Sequence, residues 1–275
     1  MKKIKYYSAL ILFLPLLFTS CNKDTVNTAI DSSYAEADGQ ADDTYSEVDG
    51  ITESSLSIYN LGARVEETPD SLIMCAIKSI NFETKTITID FGDGCQGFGG
   101  RVRKGKIHIH YTDRFFKPGS VVTTTFDNFY LNDVKVEGTR IRTNISDLLG
   151  AIPKFHVVLT GGKLTWPDST FSTRESDFTQ TWNRGISPYN DEIMVDGSAS
   201  GITRDGKEYL MNITSTLLFK RACWRFRAFI PVSGVKEIIS NGNIMTIDYG
   251  DGTCDRSATI TANGVSRTIE ITKGR

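Results

Sequence analysis

From residue 70 onward nearly every segment alternates apolar and polar side chains with a period of two. Ile107, Ile109 and Tyr111 share one face, opposite His108, His110 and Thr112. Ile87, Ile89 and Phe91 oppose Thr86, Thr88 and Asp90, and Met211, Ile213, Ser215 and Leu217 alternate with Asn212, Thr214 and Thr216. Such alternation belongs to antiparallel strands with one face packed and one solvated. The same alternation continues through Trp224, Phe226 and Ala228 against Arg225 and Arg227. Turn chemistry separates the runs: Lys117-Pro118-Gly119, Leu131-Asn132-Asp133, Arg204-Asp205-Gly206-Lys207, Asn241-Gly242 and Asn263-Gly264. Asp-Gly and Asn-Gly pairs supply the positive φ that tight hairpins require. The 30 threonines favour pleated strands as well. The expectation is an all-β body, an extended antiparallel meander or a sandwich of about a dozen strands. Ile145 to Ala151 is expected to add one short helical turn.

Two stretches of this body match. Ile77-Lys78-Ser79-Ile80 through Asp90-Phe91-Gly92-Asp93-Gly94-Cys95 returns as Val235-Lys236-Glu237-Ile238 through Asp248-Tyr249-Gly250-Asp251-Gly252-Thr253-Cys254. Gly105 with Gly264 extends the match, and Val134 to Thr139 is echoed more weakly by Ile193 to Ser198. The offset far exceeds a solenoid period, so a two-lobed or pseudo-symmetric sheet is expected.

The amino terminus reads as an address. Lys2, Lys3 and Lys5 precede the apolar run Ala9 to Phe18, too short to span a bilayer and suited to a secretory h-region. Phe18-Thr19-Ser20-Cys21 follows and resembles a bacterial lipobox, which implies cleavage after Ser20 and lipidation of Cys21. Several acyl chains on one residue anchor stably where one chain does not. Removing residues 1–20 takes three Lys from the 31 bases, leaving 28 against 33 acids, a mature charge of −5. Residues 22–53 hold Asp24, Asp31, Glu36, Asp38, Asp42, Asp43, Glu47, Asp49 and Glu53 against Lys23 alone. An acidic stretch rich in Ser, Thr and Asn reads as a solvated tether, assigned to 21–43. Tyr45, Val48, Ile51, Leu56, Ile58 and Leu61 then fall at helical spacing and predict a short amphipathic helix over 44–62, ended by Gly62. Residues 63–275 form the duplicated β body.

In order along the chain come Asp90-Phe91-Gly92-Asp93-Gly94-Cys95, Arg101 to Ile107, Phe126-Asp127-Asn128-Phe129-Tyr130, Val136-Glu137-Gly138-Thr139-Arg140, Leu164-Thr165-Trp166-Pro167-Asp168 and Asp248 to Asp255. As a set these resemble a family of uncharacterised Bacteroidetes lipoproteins, over most of residues 70–275. The resemblance implies a cell-envelope compartment, an outer-membrane anchor facing the surface or the periplasm, and an all-β body. It implies no catalytic residue. Arg225 to Pro231 departs from it as an insertion after Cys223. Asn22-Lys23-Asp24 also resembles the charged sequences that send some lipoproteins of that phylum to the cell surface.

Several constellations invite chemistry. Asp90, Asp93, Asp248, Asp251 and Asp255 are hard oxygen donors, but no ligand series ends in the bidentate Glu of an EF-hand loop. Asp90-Phe91-Gly92-Asp93-Gly94 also resembles a hallmark of polycystic-kidney-type adhesion domains, over that motif alone. Strand ends turning through Asp-Gly explain these residues without a ligand. His108 and His110 share a strand face and could begin a zinc site, yet His156 is the only further His, so no metal and no cofactor is expected. Gly197-Ser198-Ala199-Ser200-Gly201 places serine wrongly for a nucleophile elbow. Cys75, Cys95, Cys223 and Cys254 remain after Cys21 and allow three connectivities. Cys75–Cys95 and Cys223–Cys254 are favoured because each pair flanks one matching hairpin. Trp166, Trp182 and Trp224, with Tyr189, Tyr209 and Phe129, are the aromatic candidates for stacking on a glycan. A formal charge of −2 excludes the basic footprint of a nucleic-acid binder.

The sequence thus predicts a lipid-anchored envelope protein with a non-catalytic binding role toward a glycan or a protein. A carbohydrate-active hydrolase would instead need two convergent carboxylates. A component of an envelope assembly would show an exposed sheet edge or apolar patch.

Overall fold

The computed structural model describes residues 33–62, 72–97, 100–226 and 230–271. The signal segment, Cys21 and the first part of the acidic stretch lie outside the described residues. Within them the chain is all-β apart from one helix, α1 (Ser33–Ile58), and two short 3-10 turns, Pro188–Asn190 and Arg221–Phe226.

The alternating segments form one antiparallel sheet of 14 strands. β1 (Ile77–Asn81) and β2 (Thr86–Asp90) make a hairpin, and the two-residue β3 (Cys95–Gln96) pairs only with β4 (Val102–Tyr111). A meander follows through β5 (Val121–Leu131), β6 (Val134–Asn144), β7 (Lys154–Thr165), β8 (Phe171–Asn183), β9 (Glu192–Ile202) and β10 (Glu208–Lys220). It ends in β11 (Ser233–Ser240), β12 (Asn243–Asp251), β13 (Ser257–Ala262) and β14 (Val265–Glu270).

The meander is therefore the arrangement adopted, and two lobes do not form. The matching hairpins have the same internal register, Ile77 opposite Asp90 and Val235 opposite Asp248, but sit near opposite edges of the sheet. Gly105 and Gly264 do not occupy equivalent places: Gly105 lies within β4, whereas Gly264 makes the β13–β14 turn. Ile145 to Ala151 forms bends and turns without a helix, with the Ser146 N–H donating to Asn144 Oδ1 at 3.0 Å.

Bends in the strands curl the sheet. Gly105 has φ +77 at the register shift between β4 and β5, and a Cβ there would lie 1.9 Å from the Asn128 carbonyl oxygen. Gly138 has φ +122 at the β6–β7 shift, where a Cβ would meet Gly162 Cα at 2.9 Å. Only glycine tolerates that combination, and such bulges sharpen strand bending.

The curled sheet encloses α1. The 26-residue helix is about 39 Å long and is buried over most of its surface. Its partners come from strands well apart in the sheet: Thr124 of β5 on Thr52, the Glu137 carbonyl of β6 on the Tyr45 hydroxyl, and Ser240 of β11 on the Tyr34 hydroxyl. Beyond β14, the side chain of Ile271 would lie 3.0 Å from a Cβ at Gly39, and Leu72 takes the same position at Gly50.

This corrects the expected domain boundaries. The helix begins at Ser33 rather than 44 and ends at Ile58, with Asn60 in the left-handed region at φ 57. The part of the predicted tether from Ser33 to Asp43 is inside the protein. A tether was expected because the stretch is acidic, but its charges are compensated by side chains distant in sequence.

Candidate binding site

The inner face of the sheet carries cations at positions where alternation leads one to expect apolar residues, and α1 carries the matching acids. Asp38 accepts from Arg174 Nη1 at 2.6 Å and from Lys236 Nζ at 2.5 Å, while Asp42 bonds the same two side chains. Arg101 pairs with both Asp43 and Glu47, and Arg103 Nε donates to Glu47 Oε1 at 2.7 Å. Arg140 grips Asp49 with two bonds of 2.7 Å. Glu53 is shared by Arg142, at 2.7 Å, and Arg221. An isolated buried charge is costly, and pairing with hydrogen bonds is what makes the burial tolerable.

The electrostatics follow this pairing. Burial alone would raise the carboxyls of Asp38 and Asp49, but Lys236 with Arg174, and Arg140 with Arg142, outweigh it and hold both below the usual carboxylate range. Burial lifts the Asp43 carboxyl, and Arg101 only partly offsets that. Burial likewise pulls the Arg142 guanidinium below its ordinary value, with Asp49 pushing back, and takes Arg221 down to about 10.

Between α1 and strands β6 to β11 lies a small cleft of about 60 Å³. Its apolar wall is made by Leu159, Phe178, Ile193, Val195, Leu217 and Phe219. Its polar side is made by Asp49 and Glu53 of the helix with Arg140, Arg142, Ser176 and Gln180. β10 is irregular here, losing register with β9 between Asn212 and Leu217. Two buried polar atoms facing this region have no hydrogen-bond partner, Arg142 Nε and Ser176 Oγ. Arg142 is otherwise fixed: Glu53 holds Nη1, Gln180 Oε1 accepts from Nη2 at 3.4 Å, and the rings of Phe115 and Phe155 lie 4.9 and 5.3 Å from its guanidinium carbon. An apolar wall with a few placed polar groups is the lining usual for a small-molecule site.

The aromatic candidates whose side chains are described do not form an exposed glycan platform. Trp182 is 1% exposed; its indole N–H donates to Asp191 Oδ2 at 3.0 Å, and its ring packs against Phe115 and Phe116. Trp166 is 6% exposed and covered by the Arg204 guanidinium at 4.7 Å. Tyr209 and Phe129 are also buried, and Tyr189 is half-buried in the first 3-10 turn. Large rings have the most to gain from burial, so the core has taken them. Trp224 lies in the Arg221–Phe226 turn, with its side chain outside the described residues. The expected strand alternation there is replaced by that turn. The Arg221 N–H bonds the Asp191 carbonyl at 3.0 Å and Cys223 is tied to Cys254, so the chain leaves the ladder.

The other candidates take structural positions. Cys75 is joined to Cys95 and Cys223 to Cys254. Asp90 and Asp248 each accept from a backbone N–H two residues on, Gly92 and Gly250, at 2.8 Å, and Asp251 and Asp255 brace their own turns in the same way. His108 Nδ1 lies 3.1 Å from Thr88 Oγ1, and His156 Nε2 lies 2.8 Å from Asp177 Oδ1. Among the described residues no group of three or more His, Cys, Asp or Glu could hold a metal ion. Gly197 to Gly201 lies in β9, without a strand-to-helix elbow.

The residues that build the cleft were not anticipated as a site. A signal for them exists: in β6, Val134, Val136, Arg140, Arg142 and Asn144 are all buried, so the guanidiniums continue the row of the valines. No family model, curated protein or solved structure matches the chain.

Proposed function

We propose that the chain is a cell-envelope lipoprotein, held in the outer membrane by acyl groups on Cys21, whose β body is a non-catalytic binding module. The observation that supports the binding role is the cleft between α1 and β6–β11, apolar on one wall and bearing unpartnered buried polar atoms on the other. Asp42, Asp49 and Glu53 line this cleft, and each is engaged by cations rather than standing free as one of the convergent pair a hydrolase needs. Asp49 is gripped by both bonds of Arg140, which holds its carboxyl below the usual range, and Glu53 is spanned by two guanidiniums.

Native mass spectrometry of the protein released from its own envelope tests the reading. The wild type should carry one bound small molecule, absent from Leu217→Trp, in which a larger ring fills the cleft. A wild type free of any adduct would contradict it. In the same cells Cys21→Ser should lack the acyl mass and leave the membrane fraction; retention there would contradict the anchor.

A second reading, a role in an envelope assembly, is favoured by a different observation. Ile145, Leu148, Leu149 and Ile152 in the β6–β7 loop and Ile186 in the neighbouring β8–β9 loop are exposed at the end of the sheet where α1 finishes. Leu148→Ser with Leu149→Ser should abolish co-sedimentation with envelope partners if that reading holds, and leave the adduct in the cleft.

A further inference from the structure

We propose that the edge of β1 pairs with the β1 edge of a second copy of this chain, joining two sheets across a two-fold axis. The hairpin β1–β2 has a twin in the same sheet, β11–β12, whose corresponding edge is occupied. All five pairs of β1–β2, from Ile77↔Asp90 to Asn81↔Thr86, recur in the same register from Val235↔Asp248 to Ile239↔Ile244. Both hairpins leave through the same turn, with Asp90 and Asp248 each accepting from the N–H two residues on. β4 and β13 then pair on the far side of β2 and β12. On the near side the twins differ. β10 bonds the outer edge of β11, with Asn212 opposite Glu237 and Met211 opposite Ile238, whereas among the described residues β1 pairs with β2 alone. The residues of β1 alternate exposed and half-buried, where their counterparts in β11 alternate half-buried and buried. Ile77 is 74% exposed, and Phe82 in the adjoining turn is 69% exposed. An unpaired strand edge is a template for another strand, and β1 carries neither a bulge nor a proline to blunt it.

The strand that fits this edge is β1 itself. In antiparallel self-pairing about Ser79 all five residues find a partner: Ser79 faces Ser79, Ile77 faces Asn81, and Lys78 faces Ile80. Lys78 opposite Ile80 repeats what β10 offers β11, where Lys236 faces Ile213. No like charges meet in this register. Pairing about Lys78 instead sets two ammonium groups face to face, which is destabilising. A two-fold axis also closes the assembly at two copies, whereas β1 against β14, the opposite edge of the sheet, makes a head-to-tail contact that does not close unless the rotation does. A five-residue ladder is short, so the dimer is weak and depends on concentration.

The experiment uses the mature chain from residue 21 with Cys21→Ser, so that no acyl group drives association. Sedimentation velocity over a concentration series should show a reversible monomer–dimer equilibrium and no larger species. Ser79→Lys and Ser79→Glu, each alone, set like charges face to face on the two-fold axis and should weaken the dimer by about twofold to fivefold. An equimolar mixture of the two should associate more tightly than either. Ser79 is exposed, so both variants should melt as the wild type does, and rescue on mixing cannot come from a misfolded chain. In cells Ser79→Cys should oxidise to a covalent dimer, because facing residues lie within disulfide reach, while Thr84→Cys in the adjoining turn should not. A chain monomeric at about 1 mM, a dimer indifferent to the charge at residue 79, or growth into longer chains overturns the proposal. So does Ser79→Cys joined to a different protein, which assigns the edge to a foreign strand.

Discussion

Replacing Asp38 by Asn should be among the most damaging single-atom changes this protein can suffer. Asp38 is fully buried and receives both Arg174 and Lys236, whose side chains are themselves buried. In Asp38→Asn the two cations keep only Asp42 between them, and one positive charge stays buried without its counterion. Breaking a buried pair from one side costs about 3–5 kcal/mol, whereas removing both partners together is nearly neutral in favourable cases. For a domain of this size each kcal/mol lowers the melting temperature by about 2–4 °C, so a loss of about 4 kcal/mol lowers it by about 8–16 °C. The assay is urea unfolding of Asp38→Asn, Lys236→Met and the double variant, closed as a cycle. Both single variants should lose about 3 kcal/mol or more, and the double variant should lose clearly less than their sum. Lys104→Met, which breaks the exposed pair with Asp133, serves as control and should stay within about 0.5 kcal/mol. Single losses below about 1 kcal/mol that simply add would refute the reasoning, because they would show that the helix acids are solvated.

Other consequences can be read from the same contacts. Asp49 has a depressed carboxyl, so its contribution is complete above about pH 4 and is lost as pH falls through the lowered value. Asp49→Asn should therefore be destabilised at pH 7 in urea unfolding, with the deficit closing below pH 4. Cys75→Ser and Cys223→Ser each open a loop, of 20 and 31 residues, and should each lose about 3 kcal/mol in the same assay. Trp182→Ala should cost about 3–5 kcal/mol, since the ring is core and Asp191 Oδ2 loses the indole N–H. A glycan array should respond neither to the wild type nor to Trp166→Phe; a glycan signal lost in Trp166→Phe would restore the stacking reading.

Apart from the two-residue β3, the strands were legible because alternation is a local property, written within each run of five to thirteen residues. The helix was misplaced for a reason that is not local. Glycine is a poor helix former, yet Gly50 is where the helix packs against Leu72, and Gly39 does the same for Ile271. The acids read as solvated because their partners lie far along the chain; Lys236 is 198 residues from Asp38. Charge patterning within a window cannot show a pairing of that range. The cleft was hidden for the same reason, since it joins one face of α1 to six strands. What could be read is the row of Val134, Val136, Arg140 and Arg142, where cations continue a buried face and so call for buried anions. The Trp residues misled because composition supplies aromatics for a glycan platform and for a core alike.

Cradle and cleft both exist only if α1 is seated inside the sheet, so amide hydrogen exchange along Ser33–Ile58 is the most direct test. The account predicts protection of the central helix amides, Asp42 to Ile51, equal to that of β6 and β7, with loss only on global unfolding. Exchange of those amides within seconds, at the rate of an unstructured acidic tether, would contradict it.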